Sequence, residues 1–206
     1  MNATTLAVSP RPAVLAEPKA QTTTVDPAQE EVHRLVELAK SGQREAFTEL
    51  VELFHRRVYH FLFKMVGNAQ DAEDLTQDTF VKVFRKLHQH KSGCGFAPWL
   101  FTVARRTALN HFRDRKPTSE LAEDYGVDEK DPSAIFEQKD ISDRFWNLTK
   151  SLKPMAREAL WLRYGEGFSA TETAEILGCN AIYVRVMLHR ARQQLATTLA
   201  PLREEF

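Results

Sequence analysis

The chain has 206 residues, 43% of them apolar, and its 28 Lys and Arg balance 28 Asp and Glu. That length suits one or two domains, and the neutral total excludes a partner chosen by overall charge alone. The two cysteines, Cys94 and Cys179, lie far apart in sequence, which excludes a disulfide framework and fits a reducing, cytoplasmic setting.

Residues 1–29 are rich in Ala, Thr, Pro and Val and lack a basic start followed by an apolar core. They read as a disordered tail, not a secretion signal. No apolar run approaches the roughly 18 residues of a membrane span, so membrane insertion is not expected. Beyond residue 29 the apolar positions recur with helical period, glycine is sparse, and no stretch alternates strictly. An all-α fold follows.

Charge is distributed unevenly. Residues 30–78 carry net −4, residues 79–117 net +8, residues 118–140 net −6 and residues 141–206 net +2. The Pro- and acid-rich run "KPTSELAEDYGVDEKDPSA" has linker composition. The expected organisation is therefore a tail 1–29, a helical domain 30–117, an acidic linker 118–140 and a second helical domain 141–206.

"AQDAEDLTQDTFVKVFRKLH" predicts a helix starting at Asn68, with acids early and bases late to match the helix dipole. Ala72, Leu75, Phe80, Val83, Phe84 and Leu87 form its buried face. Asp71, Asp74 and Asp78 share an exposed stripe, either a solvated face or a docking surface for a basic protein.

"HQHKSGCGFAPWLFTVARRTALNHFRDRK" predicts a loop and then a helix. Phe101, Ala104, Ala108 and Phe112 face the core. Thr102, Arg106, Asn110 and Arg113 form a polar, basic stripe, flanked by Arg105, His111, Arg115 and Lys116. Asn and Arg are suited to base edges and phosphates. Phe96 and Trp99 beside the loop are suited to stacking on unpaired bases, or else to the core. Eight net charges in 39 residues repel one another without an anionic partner. His88, His90 and Cys94 lack the tight spacing of metal ligands. With the acids dispersed along helix faces, no metal, no cofactor and no enzymatic activity are expected.

"KPMAREALWLRY" predicts a helix with Pro154 in its first turn, and places Arg157 and Arg163 where phosphate contact is available. "FSATETAEILGCNAIYVRVMLHRARQQL" then predicts two helices. Ser169 and Glu172 form a capping box, and Asn180 caps the second helix. Ala174 and Gly178, four apart, give a small-residue crossing. Val184, Leu188, Ala191 and Leu195 are the buried stripe, leaving Arg185, His189, Arg190 and Arg192 outward. This is either helix-turn-helix grammar, whose second helix enters a major groove, or an ordinary helical hairpin.

Four blocks carry a family resemblance: "DAEDLTQDTFVKVF", "FAPWLFTVARRTALNHFRDR", "REALWLRYGEGFSATETAEILGC" and "LHRARQQL". In that order they resemble bacterial RNA polymerase sigma factors of the extracytoplasmic-function (ECF) group, over about residues 32–198. The resemblance implies two small helical domains, sigma domain two at 30–117 and a helix-turn-helix sigma domain four at 141–206. It implies a non-enzymatic partner of core RNA polymerase and promoter DNA, with an anti-sigma factor as a further partner. Asp71, Asp74, Leu75, Gln77 and Asp78 would dock on the clamp helices of the polymerase largest subunit, with the polymerase flap as a further contact. Lys91, Phe96, Trp99, Arg105, Arg106, Asn110 and Arg113 would meet the minus-ten element, with loop 88–96 capturing a flipped base. Arg157, Arg163, Arg185, Val186, His189 and Arg190 would meet the minus-thirty-five element. The acidic linker would follow the RNA-exit path.

The match departs from the family at "YVRVMLHR". There Val186 and Met187 stand where Ser and Arg are usual, which implies more apolar, thymine-methyl contact. The tail has no family counterpart. The alternative is a stand-alone helix-turn-helix regulator of duplex DNA.

Overall fold

The computed structural model describes residues 27–91, 95–115 and 149–199. Residues 1–26 of the expected tail, Cys94, the whole acidic linker with its boundaries, and the last residues of the chain lie outside the described residues. Among the described residues there is no strand.

Among the described residues the first half is a body of four α-helices. Helix α1 spans Pro27–Lys40 and so begins within the stretch expected to be tail. Helix α2 spans Arg44–Val66 and ends at Gly67, whose positive φ of 71° lets its N–H close back on the Phe63 carbonyl. Asn68 then caps α3, Ala69–Lys86, by accepting the Asp71 N–H at 3.0 Å. A 3₁₀ turn, Leu87–Gln89, leads toward α4, Phe96–Arg115.

Heptad-like spacing buries Leu50, Phe54, Val58, Phe61 and Met65 of α2 against α3 and α4. Two threonines also lie in this core. Thr76 and Thr79 donate to the Ala72 and Leu75 carbonyls, each at 2.7 Å, so neither hydroxyl is left unsatisfied. Phe84 was expected in the buried face but is 53% exposed. It sits one residue past Val83, on the turn that faces outward, and only its edge meets Phe47, at a 5.0 Å ring separation.

Among the described residues the second half holds three α-helices. Helix α5, Pro154–Leu160, has its proline in the first turn as expected and runs into a π-helical turn, Trp161–Gly165. Helix α6 spans Ala170–Leu177, and α7 spans Ala181–Leu199. The α6 capping box is complete: Glu172 N–H donates to Ser169 Oγ at 3.1 Å, and Ser169 N–H to the Glu172 carboxylate at 2.8 Å. Asn180 caps α7 by accepting the Ile182 N–H at 2.7 Å. Val184, Leu188, Ala191 and Leu195 are all buried, as their spacing requires.

Gly178 has a different role from the one expected. No atom lies within 4 Å of where its Cβ would be, so no helix crosses it closely. Its φ of 69° instead makes it the left-handed residue that ends α6, with its N–H returning to the Ala174 and Glu175 carbonyls.

The halves pack on each other, which the sequence did not announce. Helix α4 lies against α6, and the Phe101 and Phe168 rings meet edge to face at 5.2 Å. Phe101 is fully buried, so the two cores are continuous at this point.

Candidate docking and nucleic-acid interfaces

On α3 the exposed stripe is narrower than expected in acid and richer in apolar surface. Asp74, Gln77 and Asp78 face solvent. Asp78 has Lys82 at 3.8 Å, and Gln77 reaches the Glu73 carboxylate at 3.3 Å. One and two turns on from Gln77 stand Val81 and Phe84, 47% and 53% exposed. Residues at this spacing share a helix face, so an acidic patch runs into an apolar one. Sequence reading missed both, and the i, i+4, i+7 relation of Gln77, Val81 and Phe84 was the available signal.

Asp71 and Leu75 do not belong to that surface. Leu75 is buried in the core. Asp71 points to α4, where the Arg115 guanidinium donates both its Nη groups to the carboxylate at 2.7 and 3.1 Å. His111 Nε2 stands 3.9 Å from the same carboxylate. Helical geometry explains the split, because residues three apart differ by about 60° in direction, enough to turn Asp71 from solvent to the neighbouring helix.

On α4 the outward stripe is as expected: Arg106, Asn110 and Arg113 are exposed and Thr102 is half-buried, its hydroxyl donating to the Pro98 carbonyl at 2.8 Å. Lys91 is exposed before it. Phe96 is not available for stacking. It is 5% exposed and packs edge-on to Phe54 at 5.5 Å. Trp99 is half-buried, tilted against His90 and Phe96 at 5.1 and 6.0 Å, so only part of its ring is offered. His90 is itself buried in this aromatic group. Among the described residues no group of His, Cys, Asp and Glu is gathered as a metal site.

Arg105 turns away from that stripe into the seam between the halves. Its Nε donates to the Glu158 carboxylate at 2.6 Å and its Nη1 to the Leu177 carbonyl at 3.3 Å. A second pair crosses the seam: Arg57 Nε donates to Glu166 at 2.7 Å, and the Trp161 indole N–H donates to the other oxygen of that carboxylate at 3.2 Å. Arg57 also lies over the Phe54 and Phe101 rings, 5.2 and 5.8 Å from their centres. Burial pushes the Glu158 carboxyl above its ordinary value, against the charge and hydrogen bond of Arg105. Glu166 is raised for the same reason, against Arg57 and the Trp161 donor.

In the second half Arg163 does not reach outward. Its Nη1 donates to the Phe168 carbonyl at 2.9 Å and fixes the turn before α6. Arg157 is half-buried on α5. On α7, Arg185, Val186, His189 and Arg190 are all exposed, on the side away from the buried stripe. The structure thus brings together Arg106, Asn110 and Arg113 on one face and Arg185, Val186, His189 and Arg190 on another. It withdraws Asp71, Leu75, Phe96, Arg105 and Arg163 into internal contacts.

No helix among the described residues is long and apolar enough to cross a membrane. Comparison with known proteins places two conserved regions on this frame. Residues 50–118 match sigma-70 region 2, and residues 142–195 match sigma-70 region 4. The chain is 31% identical to the RNA polymerase sigma-H factor of Pseudomonas aeruginosa, over 86% of this chain and 98% of that one. It is 29% identical to the ECF RNA polymerase sigma factor BldN of Streptomyces coelicolor, over 80% of this chain but only 64% of that longer relative. Among solved structures it resembles the sigma factor RpoE of Bartonella quintana in complex with the anti-sigma factor NepR. That likeness has a TM-score of 0.58 and 25% identity, and it covers 75% of this chain and 96% of that one. With regions 2 and 4 in order on an all-helical frame, the chain belongs to the sigma-70 family as an ECF-type RNA polymerase sigma factor.

Proposed function

We infer that the protein binds core RNA polymerase through α3 and directs it to particular promoters through α4 and α7. One observation carries this reading: α3 exposes Asp74 and Asp78 beside Val81 and Phe84, a charged and apolar surface that the described residues leave about half open to solvent at Val81 and Phe84. Exposed large apolar side chains rimmed by polar ones mark protein-binding sites. The basic outer stripe of α4 then meets the minus-ten region, and α7 enters the major groove of the minus-thirty-five duplex. The protein acts by binding alone, in the cytoplasm where polymerase and DNA are, and catalyses no reaction of its own.

Arg105 reaches minus-ten DNA only if its bond to Glu158 parts, so DNA engagement by this residue requires the two halves to separate. The RpoE relative, captured with its anti-sigma factor, supports an anti-sigma factor as a partner here too, competing for the α3 surface. A stand-alone duplex-binding regulator would leave that surface without a purpose.

The test is a pull-down of core polymerase with the Asp74→Lys, Asp78→Lys double variant. Loss of polymerase binding at unchanged helicity is expected, because both carboxylates are exposed and their reversal leaves the core intact. Undiminished binding by the folded variant overturns the assignment.

A further inference from the structure

Three of the exposed large apolar residues lie together at the start of one helix. Ile182 is 66% exposed, Tyr183 53% and Val186 41%. They occupy the first turn and a half of α7, the second helix of the helix-turn-helix. Ile182 and Val186 are one turn apart and stand opposite the buried line of Val184, Leu188 and Leu195. Tyr183 flanks them on the side of Arg190, and Arg185 flanks them on the other. His189 continues the line one turn further.

A soluble helix exposing such a ridge has something to bury it in. Three features select the occupant. The helix contains Arg185, Arg190 and Arg192 and no acid, so a second copy of the same face would be repelled and a polyanion attracted. The ridge sits at the N-terminal end of the second helix, the part of a helix-turn-helix that reaches base edges. And the Ile182 N–H is taken by the Asn180 side chain, while Ile182, Tyr183 and Val186 put large side chains into solvent. The surface this end offers a groove is therefore largely apolar. The apolar group a major groove displays is the thymine 5-methyl.

We propose that Ile182, Tyr183 and Val186 are specificity-determining residues that receive the methyl groups of neighbouring thymines in the minus-thirty-five duplex, with Arg185 and Arg190 holding the flanking phosphates or guanines. This rests on the reading of α7 as the duplex-entering helix and names what that helix recognises.

The experiment uses holoenzyme reconstituted from core polymerase and the full chain. Promoters are first selected from a library randomised in the minus-thirty-five segment. Each selected thymine is then replaced by deoxyuridine, which removes the 5-methyl and nothing else. Wild-type holoenzyme should bind about fourfold more weakly per methyl lost, the effect of withdrawing one buried methylene-sized group. In Ile182→Ala, Tyr183→Ala and Val186→Ala the deoxyuridine penalty should disappear at one thymine each and persist at the others. All three side chains are exposed, so truncation leaves the core intact, and unchanged circular dichroism confirms folding. No penalty in the wild type, or the same penalty in the wild type and all three variants, overturns the proposal. If scrambling the whole segment leaves wild-type binding unchanged, α7 is not the duplex reader and the proposal falls with that reading. If scrambling weakens binding but deoxyuridine does not, only the methyl readout falls. A dimer in sedimentation that Ile182→Ala dissolves would assign the ridge to a second copy and also overturn it.

Discussion

Arg105 of α4 and Glu158 of α5 meet at 2.6 Å across the seam between the two halves, with side chains only 15% and 8% exposed. Taking charges out of water is costly, and the pair repays that cost only while both members are present. Arg105→Ala should therefore destabilise the packed arrangement by roughly 3 kcal/mol, because it strands a buried carboxylate. Replacing both together, Arg105→Met with Glu158→Leu, should cost much less. Urea unfolding of the three proteins measures the difference, and an equal loss in the single and double variants would show that the pair contributes no coupling.

The same seam gives a pH dependence with a definite sign. Glu158 and Glu166 both have carboxyls raised above 4.5 by burial when the halves are packed. A carboxyl raised in the packed state binds its proton more tightly there than in the parted state, where it returns to its ordinary value. Protonation thus favours packing. That contribution is full below the ordinary carboxyl value and is lost as pH rises through the raised ones. Fluorescence transfer between labels on α1 and α7 should report more packed molecules in mild acid than at neutral pH, and Glu158→Gln with Glu166→Gln should flatten the response. A response unchanged in that double variant would place the titrating groups elsewhere.

Ser169 holds the start of α6 through the complete capping box. Ser169→Ala should cost about 1 kcal/mol, with the loss concentrated in the second half of the chain. Amide exchange should quicken in α6 and α7 and leave α2 and α3 unchanged. Uniform quickening everywhere would mean the two halves unfold as one unit.

The outer stripe of α4 makes the promoter prediction. Arg106→Ala and Asn110→Ala should each weaken open-complex formation by roughly 1–3 kcal/mol if they meet base edges. Arg113, on the same exposed face, should act more through phosphate and show it as a lower salt slope. Permanganate reactivity of melted thymines measures the first effect. Normal melting in both Arg106→Ala and Asn110→Ala would put the minus-ten contact on another face.

Periodicity made much of this legible. The helix starts at Asn68, Ser169 and Asn180 follow from side chains that bond their own backbone, and such local chemistry does not depend on the rest of the fold. The buried stripe of α7 follows from spacing for the same reason. Phe84 and Gly178 differ from expectation for local reasons, helix phase and a left-handed cap, and the other differences are tertiary. Phe96 reads as either a base-stacking or a core aromatic because nothing local reveals that Phe54 and His90 pack against it. Asp71 reads as one of three equivalent acids until Arg115, 44 residues away, is seen to hold it. Arg105 reads as one more base in a run, and its partner lies 53 residues on, beyond the acidic stretch. The seam has no sequence signature, since Glu158 and Glu166 look like solvated helix charges and only packing shows them buried.

The central claim, that this chain confers promoter choice on polymerase, is tested most directly by run-off transcription with core RNA polymerase on genomic fragments, including the promoter of its own gene. Transcripts from discrete start sites should appear when core and chain are combined, and should be missing when either is omitted. Transcription by core that is unchanged by the chain, with the chain alone binding the same duplexes as tightly as the mixture does, would contradict it.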